Sequence, residues 1–330
     1  MKSLRNFIIV VVAVLAISII SVFTLQTTAA DDVITIRFGH GAAETNERHL
    51  AVMKFKELAE EKSNGKINVQ VYPSEQLGSE AEMVESVTFN DLQMVAAAVF
   101  NQYDQRISVF EMPYLFDSPE QVWNVLDGEV GQKVAEPLLK DNLKVLAYFE
   151  NGFRHITSNQ PIEAPEDLKG VKIRTPEVPV AIDTFKALGA NPTPMAFGEL
   201  YMALQQGTVD AQENPVANIY AARFNEVQGY LNMTAHQYTP LPVAISNEFW
   251  ESLSPEMQEV VESSAKEAAQ FHRDILSENE AKMIDELKAA GMEVVEPDRE
   301  PFKENVQGVY EKYKRVFGED FVNMILEATK

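Results

Sequence analysis

Apolar and polar positions along this chain follow two periods in turn. ITIRFGH, residues 34–40, alternates as a strand does, and Ala51, Val52, Phe55, Leu58 and Ala59 then recur at helical spacing. Asn64-Gly65 is a helix stop, after which Ile67, Val69 and Val71 alternate as a second strand. Met83, Val84 and Val87 mark a short helix, and the apolar run LQMVAAAV reads as a strand buried on both faces. Strand, helix, strand, helix, strand predicts a parallel sheet, and in such sheets ligands sit beyond the carboxyl ends of the strands. His40 with the loop GAAETNE follows the first strand, Pro73–Gly78 the second and Val99–Asn101 the third. These three loops are expected to face one cleft.

The second half repeats the style with a sheet of its own. LKVLAYFENGFRHITS carries a strand and then Arg154, VKIRT is a short strand ending at Arg174, and VPVAIDTFKALGA is a helix closing at Gly189. Leu200, Ala203 and Leu204 form the inner face of a further helix that stops at Gly207, and VDAQENP brings Asn214 to the end of the next strand. Arg174 and Asn214 are thus expected at the carboxyl ends of two strands of one sheet. Later, Ser254 is a good N-cap, Pro255 suits the first helical position, and no Gly or Pro follows until Gly291. A helix of about 36 residues is roughly 54 Å long at 1.5 Å per residue. That length fits a spine lying across two lobes.

The first 30 residues read differently. Lys2 and Arg5 precede an uncharged apolar run from Phe7 to Phe23, and small and polar residues follow as far as Ala30. A positive start, an apolar middle and a small-residue exit form a cleavable secretory signal, with cleavage expected near Ala30. An uncleaved anchor fits less well, because the run is short and no basic flank follows it. The chain has no cysteine, which excludes a lipid-modified cysteine at the cleavage point and any disulfide. The expected location is the periplasm. The formal net charge is −22, and removal of the leader deletes two cations and no acid. Nucleic acid and anionic lipid are therefore not expected as partners.

About 300 residues remain after the leader, more than most single cores accommodate, so two lobes are expected. No repeat, low-complexity tract or Gly/Ser linker separates them, which points to interleaved lobes: 31–151 plus 240–279, and 152–239 plus 280–330. An enzyme is not expected. The five histidines, His40, His49, His155, His236 and His272, show no metal-binding spacing, and no GxSxG, GxGxxG or P-loop occurs. Neither a metal nor a cofactor is called for. The candidate chemistry is a cation at a strand end: the planar guanidinium of Arg174 offers paired N–H donors that match a carboxylate.

Several long stretches carry a family likeness in order: YPSEQLGSEAEM, VFEMPYLFDSPEQVWNVLDGEVG, GFRHITSNQPIEAPEDLKGVKIRTPEVPVAIDTFKALGANPTPMAFGELYMALQQGTVDAQENP and TPLPVAISNEFWESLSPEMQE. Together they resemble the extracytoplasmic solute-binding subunits of TRAP transporters, the DctP-type family, over the whole mature chain. The resemblance implies an α/β, two-lobed periplasmic-binding-protein-like fold with a long helix spanning both lobes. It implies that Arg174 pairs with a ligand carboxylate, that Arg154 and Asn214 assist, and that Phe197 packs near the ligand. The implied partners are a small-molecule carboxylate and the small and large membrane subunits of a TRAP transporter, with the protein itself a monomer. The third-strand loop reads AAAVFNQ and lacks the acidic and basic residues that sialic-acid binders of the family place there, which disfavours sialic acid.

Selectivity beyond the carboxylate falls to the first lobe. His40, Glu44, Gln76, Glu80 and Asn101 lie on or near its three loops, while Gln237 and Tyr238 approach from the crossover before TPLP. Such polar groups suit a ligand with several hydroxyls. A second carboxylate would want another cation, and the loops offer only Arg48 and His40. A sugar acid, uronate or aldonate, therefore ranks narrowly above a C4-dicarboxylate or 2-oxo acid. A ligand-presenting sensor subunit would use the same pocket and stays open as an alternative.

Overall fold

Residues 33–330 are described by the structure, a computed structural model, and the leader assigned to residues 1–30 lies outside them. The first strand, β1 (Ile34–His40), pairs in parallel with β2 (Ile67–Tyr72) on one side and β3 (Met94–Ala96) on the other. The helix between β1 and β2, Glu47–Lys62, buries Ala51, Val52, Phe55 and Ala59 on the face the spacing predicts. Asn46 caps it by accepting the Arg48 N–H, and the chain leaves it through left-handed Asn64 and Gly65. The second helix, Glu80–Thr88, begins with a capping box between Ser79 and Glu82 and buries Met83, Val84 and Val87. The third strand is shorter than the apolar run suggests. Past Ala96 the backbone turns away, and the Ala98 N–H donates to Glu80 Oε2 at 2.8 Å.

Two long strands correct the expectation of a separate second sheet. They are β4 (Leu143–Ser158) and β8 (Tyr230–Ser246), antiparallel partners of 16 and 17 residues. Short parallel strands β5 (Lys172–Thr175), β6 (Asn191–Pro194) and β7 (Ala211–Pro215) extend the far side. With β9 (Glu293–Val295) alongside β8, the strands form one sheet in the order β2-β1-β3-β8-β4-β7-β5-β6. Arg154 consequently lies inside β4 and not beyond it. Arg174 and Asn214 do stand near the carboxyl ends of β5 and β7.

The two long strands are bent where they cross. Their register shifts between Glu150 and Gly152, opposite Thr239 and Pro240, and Gly152 has φ +100°, a conformation other residues resist. The helix Pro255–Ala289 lies across this bend. At 1.5 Å per residue its 35 residues reach roughly 52 Å. Its first half packs Met257, Val261, Ala265 and Ala268 with Ile36, Phe38 and Phe55, while Met283 and Leu287 join a second cluster with Leu200, Leu204 and Ile219. A third cluster, on the other face, joins Phe110 and Val122 to Val180 and Phe185, and to Phe302, Tyr313 and Phe317 of the C-terminal helices.

The spanning helix also satisfies the bend. His272 Nδ1 accepts the Glu150 N–H at 3.2 Å. Burial, with Arg48 and Arg273 nearby, pushes the His272 ring down to about 3, which keeps it a neutral acceptor. His272→Leu strands that buried N–H and is expected to lower stability by about 1–3 kcal/mol. The check is urea unfolding, where the midpoint should fall with the slope unchanged; an unaltered midpoint would contradict this role.

Candidate ligand-binding cleft

A cavity lies where the ends of β1, β3, β5 and β7 approach one another, walled by Arg48, Glu75, Glu80, Asn151, Arg154, Arg174, Phe197, Asn214 and Asn218 among others. Its volume is about 50 Å³, against roughly 10–15 Å³ needed for one water. The space suits a small molecule. Loops from the two sides touch across it: Glu75 Oε2 accepts the Gly198 N–H at 3.0 Å, and Asn101 Nδ2 donates to the Glu177 carbonyl at 3.3 Å.

Three arginines in this wall are all buried, but their partners differ. Arg154 is neutralised by Glu213, which accepts from its Nε and, at 2.8 Å, from its Nη2. Burial pushes the Glu213 carboxyl up, yet Arg154 and His236 outweigh it and hold the group at about 2. Arg48 donates to Glu80 Oε1 at 2.5 Å and to Asn151 Oδ1 at 3.1 Å. Arg174 has only a backbone partner: its Nε and Nη2 both donate to the Met195 carbonyl, at 3.0 and 2.7 Å. No carboxylate pairs with it among the described residues. Burial pulls its guanidinium down to about 10, Glu213 opposing and Arg154 adding to the shift, so it remains charged at neutral pH. The Phe197 ring stands 6.0 Å from its Cζ, and the guanidinium edge away from Met195 keeps free donors.

Amides fill the space between these cations. Asn214 donates to Gln212 Oε1 at 2.6 Å and accepts from Asn218 at 3.1 Å and from Arg154 Nη2 at 3.4 Å. Asn218 also donates to Asn151 Oδ1 and accepts from Asn46 Nδ2. Of the residues expected at the site, Arg154, Arg174, Phe197, Asn214 and Glu80 line the cavity. The other first-lobe candidates do not. His40 is fully buried behind the wall, its Nε2 3.1 Å from His49 Nδ1. Glu44 and Gln76 are exposed on the outside of their loops. Asn101 bridges the rim, as described above. Tyr238 is in the core, edge-on to Phe116 and Phe153, and Gln237 donates to buried Glu111.

Sequence reasoning passed over Glu75, Asn151, Asn218 and Glu213 as site residues. For Glu213 a signal existed: an arginine inside a buried strand needs a counterion, and the ENP run supplies one beside Asn214. Arg48 carried a signal too. It stands in the first turn of a helix, where the dipole disfavours a cation unless something else holds it.

A cavity between two halves of a bent sheet, lined by charged and amide groups and bridged at its rim, defines a solute-binding protein. Residues 38–316 match the family described as bacterial extracellular solute-binding protein, family 7, and the chain belongs to that family, the DctP-type solute-binding proteins of TRAP transporters. It is 37% identical over 289 residues to the 2,3-diketo-L-gulonate-binding periplasmic protein YiaO of Escherichia coli, covering 86% of this chain and 87% of that one. The sugar-acid-binding protein of Advenella mimigardefordensis in complex with galactonate is 33% identical, with a TM-score of 0.87 over 89% of this chain and 97% of that one. A TRAP periplasmic solute-binding protein of Shewanella oneidensis with bound succinate is 29% identical, with a TM-score of 0.86 over 90% of this chain and 99% of that one. The family is periplasmic and binds solutes, not an enzyme family. Among the described residues no helix is long and apolar enough to cross a membrane.

The Glu213 pair has a pH signature. Its folded pKa lies below the ordinary 4.5, so its stabilisation is complete above that value and is lost as pH falls from about 4.5 towards 2. Between pH 5 and 2.5 the parent protein is expected to lose on the order of 2–3 kcal/mol more than Glu213→Gln does. Urea unfolding of both proteins at the two pH values measures the difference; equal losses would contradict the pairing.

Proposed function

We propose that the protein captures a small organic acid by its carboxylate on Arg174, closes over it and delivers it to the small and large membrane subunits of a TRAP transporter. The ligand we propose is a sugar acid, a uronate or an aldonate. The observation that carries this reading is the unpaired state of Arg174: of three buried arginines in the wall, it alone has no carboxylate among the described residues. An uncompensated buried charge is costly, and a ligand carboxylate on its open edge relieves that cost while forming two charge-assisted hydrogen bonds. Arg154, already neutral with Glu213, then contributes a remaining donor and not a second charge. Asn151, Asn214 and Asn218 line the cavity with amide groups, which pair with hydroxyls as donors or acceptors. Galactonate bound to the Advenella relative supports the sugar-acid class, and succinate bound to the Shewanella relative supports the C4-dicarboxylate alternative.

In this reading the lobes are 31–151 plus 240–279 and 152–239 plus 280–330, they rotate about the bend at Gly152 and Thr239, and the protein acts as a monomer. The ligand binds the closed form better because only there do both walls touch it, and that differential shifts the population. A thermal-shift screen of aldonates, uronates, C4-dicarboxylates and 2-oxo acids identifies the preferred class; a response to succinate or malate alone would replace the sugar-acid reading. With the best acid in hand, Arg174→Ala is expected to lose affinity by about a hundredfold or more and Arg174→Lys by about tenfold, since lysine keeps the charge without the fork. Calorimetric titration reads both, and an Arg174→Ala protein that binds as tightly as the parent would sink the proposal.

A further inference from the structure

We propose that Glu75 sets the specificity of the cleft: its carboxylate faces the end of the ligand remote from Arg174, accepts a hydrogen bond from a hydroxyl there, and excludes a second carboxylate. This rests on the reading of Arg174 as the anchor for the first carboxylate. Glu75 and Arg174 line the same cavity from opposite sides. Each lacks an ion-pair partner among the described residues, as does exposed Glu177 at the rim. Glu80 is neutralised by Arg48 and takes the Ala98 N–H, and Glu213 is neutralised by Arg154, whereas no cation pairs with Glu75 among the described residues. Its one hydrogen bond to the opposite side is from the neutral Gly198 N–H, which leaves acceptor sites on the carboxylate.

The backbone is shaped to place this group. Ser74 and Glu75 are consecutive non-glycine residues in the left-handed region, at φ 55° and 57°, which few such residues adopt. The Ser74 N–H donates to the Ala42 carbonyl at 2.9 Å and the Glu75 N–H to the His40 carbonyl at 3.3 Å, which fixes the loop to the end of β1. This reversal directs Glu75 towards the cleft and leaves Gln76 exposed outside. On the opposite side, a Cβ at Gly198 would stand 2.4 Å from Glu75 Oε2, so any other residue there would make the carboxylate shift from this position. Burial first, then Glu80 beside it, raises the Glu75 pKa, while the Gly198 N–H and Arg174 act in the other direction. A further anion at this end has no cation to meet, because Arg48 is already engaged by Glu80 and Asn151. A hydroxyl has an acceptor waiting.

The test compares ligands that differ only at the far end: galactonate with galactarate, and 4-hydroxybutanoate with succinate. Calorimetric titration of the parent protein is expected to favour the monocarboxylate of whichever pair binds by about a hundredfold. In Glu75→Gln and Glu75→Ser that preference should fall at least tenfold, chiefly through tighter binding of the dicarboxylate, with the melting temperature recorded to show that both variants are folded. A parent protein that binds the dicarboxylate as well as its partner, or a preference unchanged in both variants, overturns the inference, as does the absence of binding to all four. Arg174→Lys separates the two readings. If it weakens every ligand while the Glu75 variants keep the parent's preference, the anchor stands and the role of Glu75 falls; if it weakens none, the anchor itself falls.

Discussion

A buried guanidinium held by a single backbone carbonyl is the constraint on which the rest of this structure depends. Arg174 reaches Met195 just beyond β6, and this contact fixes the fork without neutralising it. Other buried charges in the wall are matched within the protein, Arg154 by Glu213 and Arg48 by Glu80. The difference matters more than the number of cations. A matched pair contributes geometry and hydrogen bonds, while the unmatched cation contributes a free-energy gain realised only when an anion arrives.

The fold supplies the means of using that gain. Two strands of 16 and 17 residues run through both halves, so the walls of the cleft belong to one hydrogen-bonded sheet. Their register shifts at three places, and the middle one, at Gly152 and opposite Thr239–Pro240, lies under the spanning helix. His272 of the spanning helix bonds the backbone at that point, and the same helix packs with both end clusters. Asn218, just past β7, is bonded to Asn46 before the first helix, to Asn151 of β4 and to Asn214 at the end of β7.

Much of this was legible in the chain. Period-two and helical spacings located β1, β2 and the helices Glu47–Lys62 and Glu80–Thr88, because each buries one face, and the Ser254-Pro255 start with no Gly or Pro before Gly291 located the helix Pro255–Ala289. The strand ends carrying Arg174 and Asn214 were legible from the short runs VKIRT and VDAQENP between helices that close at glycines. The single sheet was not, because the continuity of β4 and β8 depends on bulges that interrupt their alternation. Of the residues expected from loop position, Glu80 lines the cavity and His40, Glu44 and Gln76 do not. Loop membership does not determine which side chain turns inward; two left-handed residues at Ser74 and Glu75 decide that, and neither is a glycine whose presence would announce the turn. Tyr238 was lost to the aromatic core, where Phe116 and Phe153 surround it.

A crystal structure of the protein with the acid it binds best tests the anchoring role of Arg174. Both carboxylate oxygens are expected within hydrogen-bond distance of the Arg174 edge that faces away from Met195, with the Arg154–Glu213 pair intact beside them. A ligand whose carboxylate sits instead against Arg48, or that leaves Arg174 bonded to Met195 alone, would contradict it.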